Sequence, residues 1–253
     1  MTTIELNKIY NEDCLEGMKR IPDKSVDMIL CDLPYGTTRN KWDSIIPLPE
    51  LWGHYERIIK DNGAIVLFAQ IPFTMTLGSS NMKLLKYEWI WKKEVGTGFL
   101  NAKKMPLKDH ENILVFYKKL PTYNPQMREG KPYIARKGSH GSNYGKDAVD
   151  EVITVNDGKR YPLTILEFPR DKDKIHPTQK PVTLFEYLIK TYTNEGETVL
   201  DNCMGSGTTA IACLNTNRNF IGFEKDEEYW KLANERIENH KQQGGVYNEK
   251  NLC

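Results

Sequence analysis

In the stretch Glu197-Thr198-Val199-Leu200-Asp201-Asn202-Cys203-Met204-Gly205-Ser206-Gly207-Thr208-Thr209, a short apolar run leads into two glycines and the opening of a helix-compatible segment, Thr208-Thr209-Ala210-Ile211-Ala212. The run reads as a buried strand. Glycine lets the backbone turn tightly and approach a ligand, and the free N–H groups of a helix amino terminus face that ligand. Strand, glycine turn and helix in this order form the ligand-binding corner of an open α/β sheet, so the spacing predicts a nucleotide or cofactor loop. It is not a P-loop, because no Lys follows the second glycine. Further on, Asn219-Phe220-Ile221-Gly222-Phe223-Glu224 reads as a second strand ending in a carboxylate, spaced to accept hydrogen bonds from the two ribose hydroxyls of an adenosyl group. Taken alone, the same residues also describe a tight strand-to-helix turn and a surface Glu.

A second strand end lies early in the chain. Val26-Asp27-Met28-Ile29-Leu30-Cys31 runs into Asp32-Leu33-Pro34-Tyr35-Gly36, which sets a carboxylate, a restricted backbone and an aromatic ring within four residues. Such a cluster can hold a planar amine. Two strand ends of this kind suggest two ligands. A third motif, His176-Pro177-Thr178-Gln179-Lys180-Pro181, precedes a helical stripe of Leu184, Phe185, Leu188, Ile189 and Tyr192, with Pro181 suited to the first helical turn. A fourth, weaker one is Asn11-Glu12-Asp13-Cys14.

Together these motifs resemble the S-adenosylmethionine-dependent DNA amino-methyltransferases. Their catalytic signature is Asp/Asn/Ser-Pro-Pro-Tyr, and their cofactor loop has the form Asp-Pro-Phe-x-Gly-Ser-Gly-Thr-Thr. The resemblance spans roughly residues 7 to 240, and the order, catalytic motif first and cofactor loop last, matches the permuted β arrangement of that family. Relatives that methylate glutamine or ribosomal guanine normally place the cofactor loop first. Leu33 stands where proline is commoner, keeping an apolar side chain and a backbone carbonyl; Asn202 and Cys203 replace Pro and Phe, which leaves their contacts open.

The resemblance implies an α/β, class I methyltransferase (Rossmann-like) fold. This is a mostly parallel sheet with helices on both faces and circularly permuted motif order, a single domain over residues 1–253 with a target-recognition insertion at roughly 95–170. It assigns Asp32, Leu33, Pro34 and Tyr35 to catalysis. To S-adenosylmethionine it assigns Asp13, Cys14, Asp32, His176, Lys180, Asp201, Gly205, Ser206, Gly207, Thr208, Thr209 and Glu224. Asp as first residue of the catalytic motif favours the N6 amine of adenine in double-stranded DNA, with cytosine N4 as the alternative. An inactive DNA-binding relative and a nicotinamide dehydrogenase are rivals of other classes; the second leaves the Asp-Leu-Pro-Tyr and His-Pro-Thr-Gln-Lys-Pro motifs unexplained. A homodimer and a cognate restriction enzyme are further partners compatible with the resemblance.

Composition sets the bounds. The chain has 253 residues and a formal net charge of +1, enough length for one large domain. Yet residues 91–146 hold twelve Lys or Arg against four acids, a local excess of +8 that suits a phosphate-facing surface. Lys103, Lys104, Lys108, Arg136 and Lys137 are the candidate contacts. The five cysteines (14, 31, 203, 213 and 253) show no paired spacing and the five histidines are scattered, so neither a disulfide framework nor a metal site is indicated. The longest apolar run, Ala64 to Ala69, is too short to cross a bilayer and the amino terminus lacks signal-peptide regions, so a cytoplasmic protein with no membrane partner is expected.

Between the motifs, Leu48, Leu51, Trp52, Tyr55, Ile58 and Ile59 follow helical spacing, with Asn62-Gly63 as the expected stop before a strand at Ala64–Phe68. Tyr87–Trp91 and Ile113–Tyr117 read as two more strands. From Pro121 to about Arg170 periodicity fades, as in a long functional loop, and the tail after about Gln242 reads as a frayed end.

Overall fold

The computed structural model describes residues 4–36, 43–137, 152–171 and 179–250. The chain divides into two compact units, one of residues 1–124 and 164–253, the other of residues 125–163. In chain order the elements are β1 (Lys8–Tyr10), α1 (Cys14–Met18), β2 (Val26–Asp32), α2 (Leu48–Ile58), β3 (Ile59–Ala69), α3 (Phe73–Ser80), β4 (Leu85–Thr97), a 3-10 turn (Phe99–Asn101) and β5 (Lys108–Phe116). The smaller unit holds β6 (Arg128–Glu129), β7 (Tyr133–Lys137), β8 (Val152–Asn156) and β9 (Lys159–Arg160). The larger unit resumes with β10 (Ile165–Glu167), α4 (Val182–Tyr192), β11 (Thr198–Asp201), α5 (Thr208–Asn215), β12 (Asn219–Phe223) and α6 (Glu227–Lys250).

Eight strands of the larger unit form one sheet in the order β1-β12-β11-β2-β3-β5-β4-β10 among the described residues. All neighbours pair in parallel except at β5, which is antiparallel to both β3 and β4. The expected mostly parallel α/β sheet is thus observed. β5 reverses because a short connection from β4 can only return as a hairpin, whereas a parallel return needs a long crossover.

Alternation along the strands divides the core between the two faces. Met28, Leu30, Val66 and Phe68 point to the side covered by Leu184 and Leu188 of α4, Ala210 of α5 and Ala233 of α6. Ile29, Cys31, Ile65 and Leu67 point to the opposite side, against Met18 of α1, Leu51 and Tyr55 of α2 and Leu77 of α3. Helices therefore cover both faces. The apolar stripe expected after Pro181 is the buried face of α4, with Pro181 itself as the N-cap rather than in the first turn.

Three local expectations differ from the structure. α2 ends at Ile58, and Asn62-Gly63 lies inside β3 instead of stopping the helix. The glycine is required there by close approach, since a Cβ on Gly63 would stand 2.7 Å from the carbonyl oxygen of Asp27 in the adjacent strand. The segment from Pro121 to Arg170 is not simply loop: β6 pairs with β9 and β7 with β8, both antiparallel, and β10 joins the main sheet. The tail is helical through Lys250. Among the described residues no helix is long and apolar enough to cross a membrane.

Candidate active site

Two adjacent strands bring the two motifs to one place. β11 and β2 pair in parallel, with Leu200 opposite Ile29, and the sheet continues from them in opposite directions, toward β12 and toward β3. This is a switch point, where diverging connections leave a crevice past the carboxyl ends of the strands. Asp201 closes β11 and Asp32 closes β2, and both line a cavity of about 810 Å³.

One side of the cavity is the glycine loop. Gly205 and Gly207 have φ of +52° and +77°, and Gly207 is the N-cap of α5. The loop is tied to the end of β12: Gly205 N donates to Glu224 Oε2 at 2.8 Å, and Asp226 N donates to Glu224 Oε1 at 2.8 Å. The carboxylate keeps acceptor capacity for a further donor. Burial pushes the Glu224 carboxyl up, against the hydrogen bonds from Asp226, Gly205 and Lys225. Asp201 accepts from Cys203 N at 3.0 Å and from Thr209 Oγ1, and burial outweighs these bonds to push its carboxyl up to about 6.

Asp13 caps α1, accepting from Leu15 N at 3.0 Å, and pairs with Lys225 at 3.0 Å. Partial burial raises its carboxyl, but these partners outweigh it and hold the group below its ordinary value. The replacements at 202 and 203 face inward. Buried Asn202 accepts from Tyr55 Oη at 2.5 Å and donates to the sulfurs of Cys14 at 3.6 Å and Cys203 at 3.5 Å, so an amide ties α2, α1 and the loop together.

The other side holds a buried group of alternating charges. Lys180, 6% exposed, donates to Asp32 Oδ2 and lies 3.2 Å from Glu111 Oε2. Glu111, 7% exposed, also pairs with Lys93 at 2.5 Å. Tyr35 Oη donates to Asp32 Oδ1 at 2.6 Å, while its ring stacks on Phe73 at a centroid distance of 5.4 Å. Two carboxylates and two ammonium groups balance, which is how buried charge is tolerated. Burial raises the Asp32 carboxyl, with Lys180 pulling against it. Burial would raise Glu111 as well, but Lys180 and Lys93 outweigh it and hold that carboxyl low. Burial would lower Lys180, yet Asp32 and Glu111 keep it charged.

Of the residues singled out in sequence, Asp13, Cys14, Asp32, Leu33, Pro34, Tyr35, Lys180, Asp201, Gly205, Ser206, Thr208, Thr209 and Glu224 all line this cavity, and Gly207 begins the helix behind it. Lys180, expected beside the cofactor, lines the cavity and reaches the catalytic motif. His176 lies outside the described residues. Lys103 and Lys104 belong to the connection between β4 and β5, Lys108 opens β5, and Arg136 and Lys137 belong to β7 in the smaller unit. Glu111 and Lys93 are site residues that the sequence reading missed. The available signal was strand alternation, which puts Lys93 on the buried side with Trp91 and sets Glu111 at the head of an apolar run.

A family model described as DNA methylase matches residues 26–235. The Type II methyltransferase M1.MboII of Moraxella bovis is 31% identical over 258 residues, covering 91% of this chain and 96% of that protein. The DNA adenine methyltransferase YhdJ of Escherichia coli (strain K12) is 28% identical over 256 residues, covering 92% of this chain and 83% of that protein. Among solved structures, the M1.HpyAVI–SAM complex superposes with a TM-score of 0.63 at 28% identity, covering 90% of this chain and 98% of that one.

Proposed function

We propose, from the premise that this chain belongs to the DNA methylase family, that it moves a methyl group from S-adenosylmethionine to the N6 amine of adenine at specific sites in double-stranded DNA. The observation that carries this reading is the meeting of Asp32-Leu33-Pro34-Tyr35 and the Gly205–Thr209 loop in one cavity. Asp in first place of the catalytic motif and the likeness to a relative named for adenine favour adenine.

The residues present fit a cationic adenosyl sulfonium. Glu224 has acceptor capacity for ribose hydroxyls at the end of β12, the glycine loop lets the backbone come close, and Asp13, Asp32 and Asp201 give the lining negative charge. Bound there, S-adenosylmethionine supplies an electrophilic methyl group.

An exocyclic amine is a poor nucleophile because its lone pair is delocalised into the ring. Asp32 and the carbonyl of Leu33 accept its two N–H bonds, which draws the nitrogen toward tetrahedral geometry and aims the lone pair. Lys180 and Tyr35 hold the Asp32 carboxylate in position. Burial lifts the Asp32 carboxyl and suits it to take the proton that the amine gives up. Extruding the base from the duplex costs roughly a few kcal/mol, and stacking on Tyr35 returns roughly 1–3 kcal/mol. No cysteine acts as a nucleophile in this scheme. Target recognition falls to the segment from roughly 95 to 170.

The test is incubation with unmethylated genomic DNA and labelled S-adenosylmethionine, followed by digestion to nucleosides and mass spectrometry. N6-methyladenine supports the reading; N4-methylcytosine keeps the transfer and moves the acceptor; no product despite cofactor binding sinks it. Asp32→Ala should lower transfer by about a hundredfold or more while leaving cofactor affinity within a few-fold, and full turnover by that variant would remove Asp32 from the mechanism.

A further inference from the structure

The connection between β4 and β5 is an ordered turn that presents two large apolar side chains to solvent. Gly98, at φ +89°, turns the chain into the 3-10 segment Phe99–Asn101. Hydrogen bonds from Asn101 N to Gly98 O (2.9 Å), Ala102 N to Phe99 O (3.0 Å) and Lys104 N to Asn101 O (2.8 Å) fix the turn. At its root Thr97 Oγ1 donates to Lys108 O at 3.1 Å. Even so, Phe99 is 81% and Leu100 is 98% exposed. Covering such side chains is favourable, so a fixed turn that leaves two adjacent ones in water marks a contact surface rather than a packing accident.

Position and charge name the occupant. β4 runs parallel to β2 through the intervening strands, so its carboxyl end emerges on the edge where Asp32 lies, and Thr97 itself lines the cavity. Exposed Lys103 and Lys104 follow the apolar tip within the same connection, and exposed Lys108 opens β5 at its end. An apolar tip followed by cations beside a cavity built for a flipped base fits a stacked polyanion: side chains enter between base steps while ammonium groups meet phosphates.

We infer that Phe99 and Leu100 form the wedge that enters the duplex at the target step and fills the space left when the base swings into the cavity. The inference rests on the DNA methyltransferase reading. These are positioning residues: they act on the base's departure from the stack, not on the reacting atoms.

The test first maps the target by sequencing genomic DNA methylated by the wild-type protein. Methyl transfer by wild type and by the Phe99→Ala, Leu100→Ala double variant is then compared on two synthetic duplexes carrying that site. One is fully paired; the other has an abasic position opposite the target base, where unstacking costs least. The variant should be about tenfold slower or more on the paired duplex and near wild type on the abasic one. On a duplex with 2-aminopurine at the target, its fluorescence rise should shrink in parallel. Equal rates for the two proteins on the paired duplex would overturn the inference, and so would an equal loss on both duplexes, which marks a general binding or folding role. Wild-type protein that methylates no DNA would sink the underlying reading, and the wedge with it.

Discussion

Asp201 keeps its proton further up the pH scale than an ordinary aspartate, to about 6, because burial disfavours its charge. Between about 4 and about 6 the folded protein therefore holds a proton that the unfolded chain has released, so this residue's contribution to stability falls as pH rises through that window. Above it the cost is complete, on the order of 3 kcal/mol. Asp201→Asn has nothing to titrate. Its stability relative to wild type, measured by urea unfolding at stepped pH, should climb from pH about 4 to about 6 and then level off; a pH-independent difference would mean that Asp201 is not the titrating group. Residues such as Asp201 and Asp32 were legible because each closes an apolar run and opens a contiguous motif. Glu111 was not, since its value comes from Lys93, Lys180 and Tyr35, which arrive from separate parts of the chain. In sequence it was merely one acid in a basic stretch.

Elements show the same division between local and tertiary causes. The turn from β11 into α5 depends on Gly207, whose φ of +77° disfavours side chains and whose added Cβ would lie 3.2 Å from Ala233 Cβ of α6. Gly207→Ala should destabilise the protein by about 1–2 kcal/mol. If the loop holds the cofactor, it should also weaken S-adenosylmethionine binding by about tenfold. Thermal unfolding and calorimetric titration measure the two effects separately; unchanged binding would take the loop's conformation out of cofactor recognition. This corner was readable because glycine spacing is a local signal. The end of α2 was misread for the opposite reason: Asn62-Gly63 has the look of a helix stop, but pairing with β2 draws the chain into β3 from Ile59 onward, with Val26 opposite Ile59. Likewise the small strands β6 to β9 carry little periodicity, and only their partners define them.

For the molecule as a whole, a net charge of +1 conceals a segment at +8. Replacing Lys103, Lys104 and Lys108 together with Ala should weaken DNA binding and reduce the slope of log affinity against log salt by roughly 2–3; an unchanged slope would move the phosphate contacts elsewhere. The strand-ending motifs made the ligand-binding corners of the sheet readable from sequence, while the division at residues 125–163 was visible only as fading periodicity. Both ends of that division are clamped. Asn124 donates from its backbone to Thr191 O at 2.8 Å and from its side chain to Lys190 O and Thr193 O at 3.2 Å, and Thr164 O accepts from Ile90 N at 2.8 Å. With entry fixed at the end of α4 and exit on β4, the stretch between them can be lengthened, trimmed or exchanged at small entropic cost, about 0.6 kcal/mol for each doubling of loop length. A lineage built this way can exchange what lies between two rivets while the cavity at the ends of β2 and β11 stays untouched.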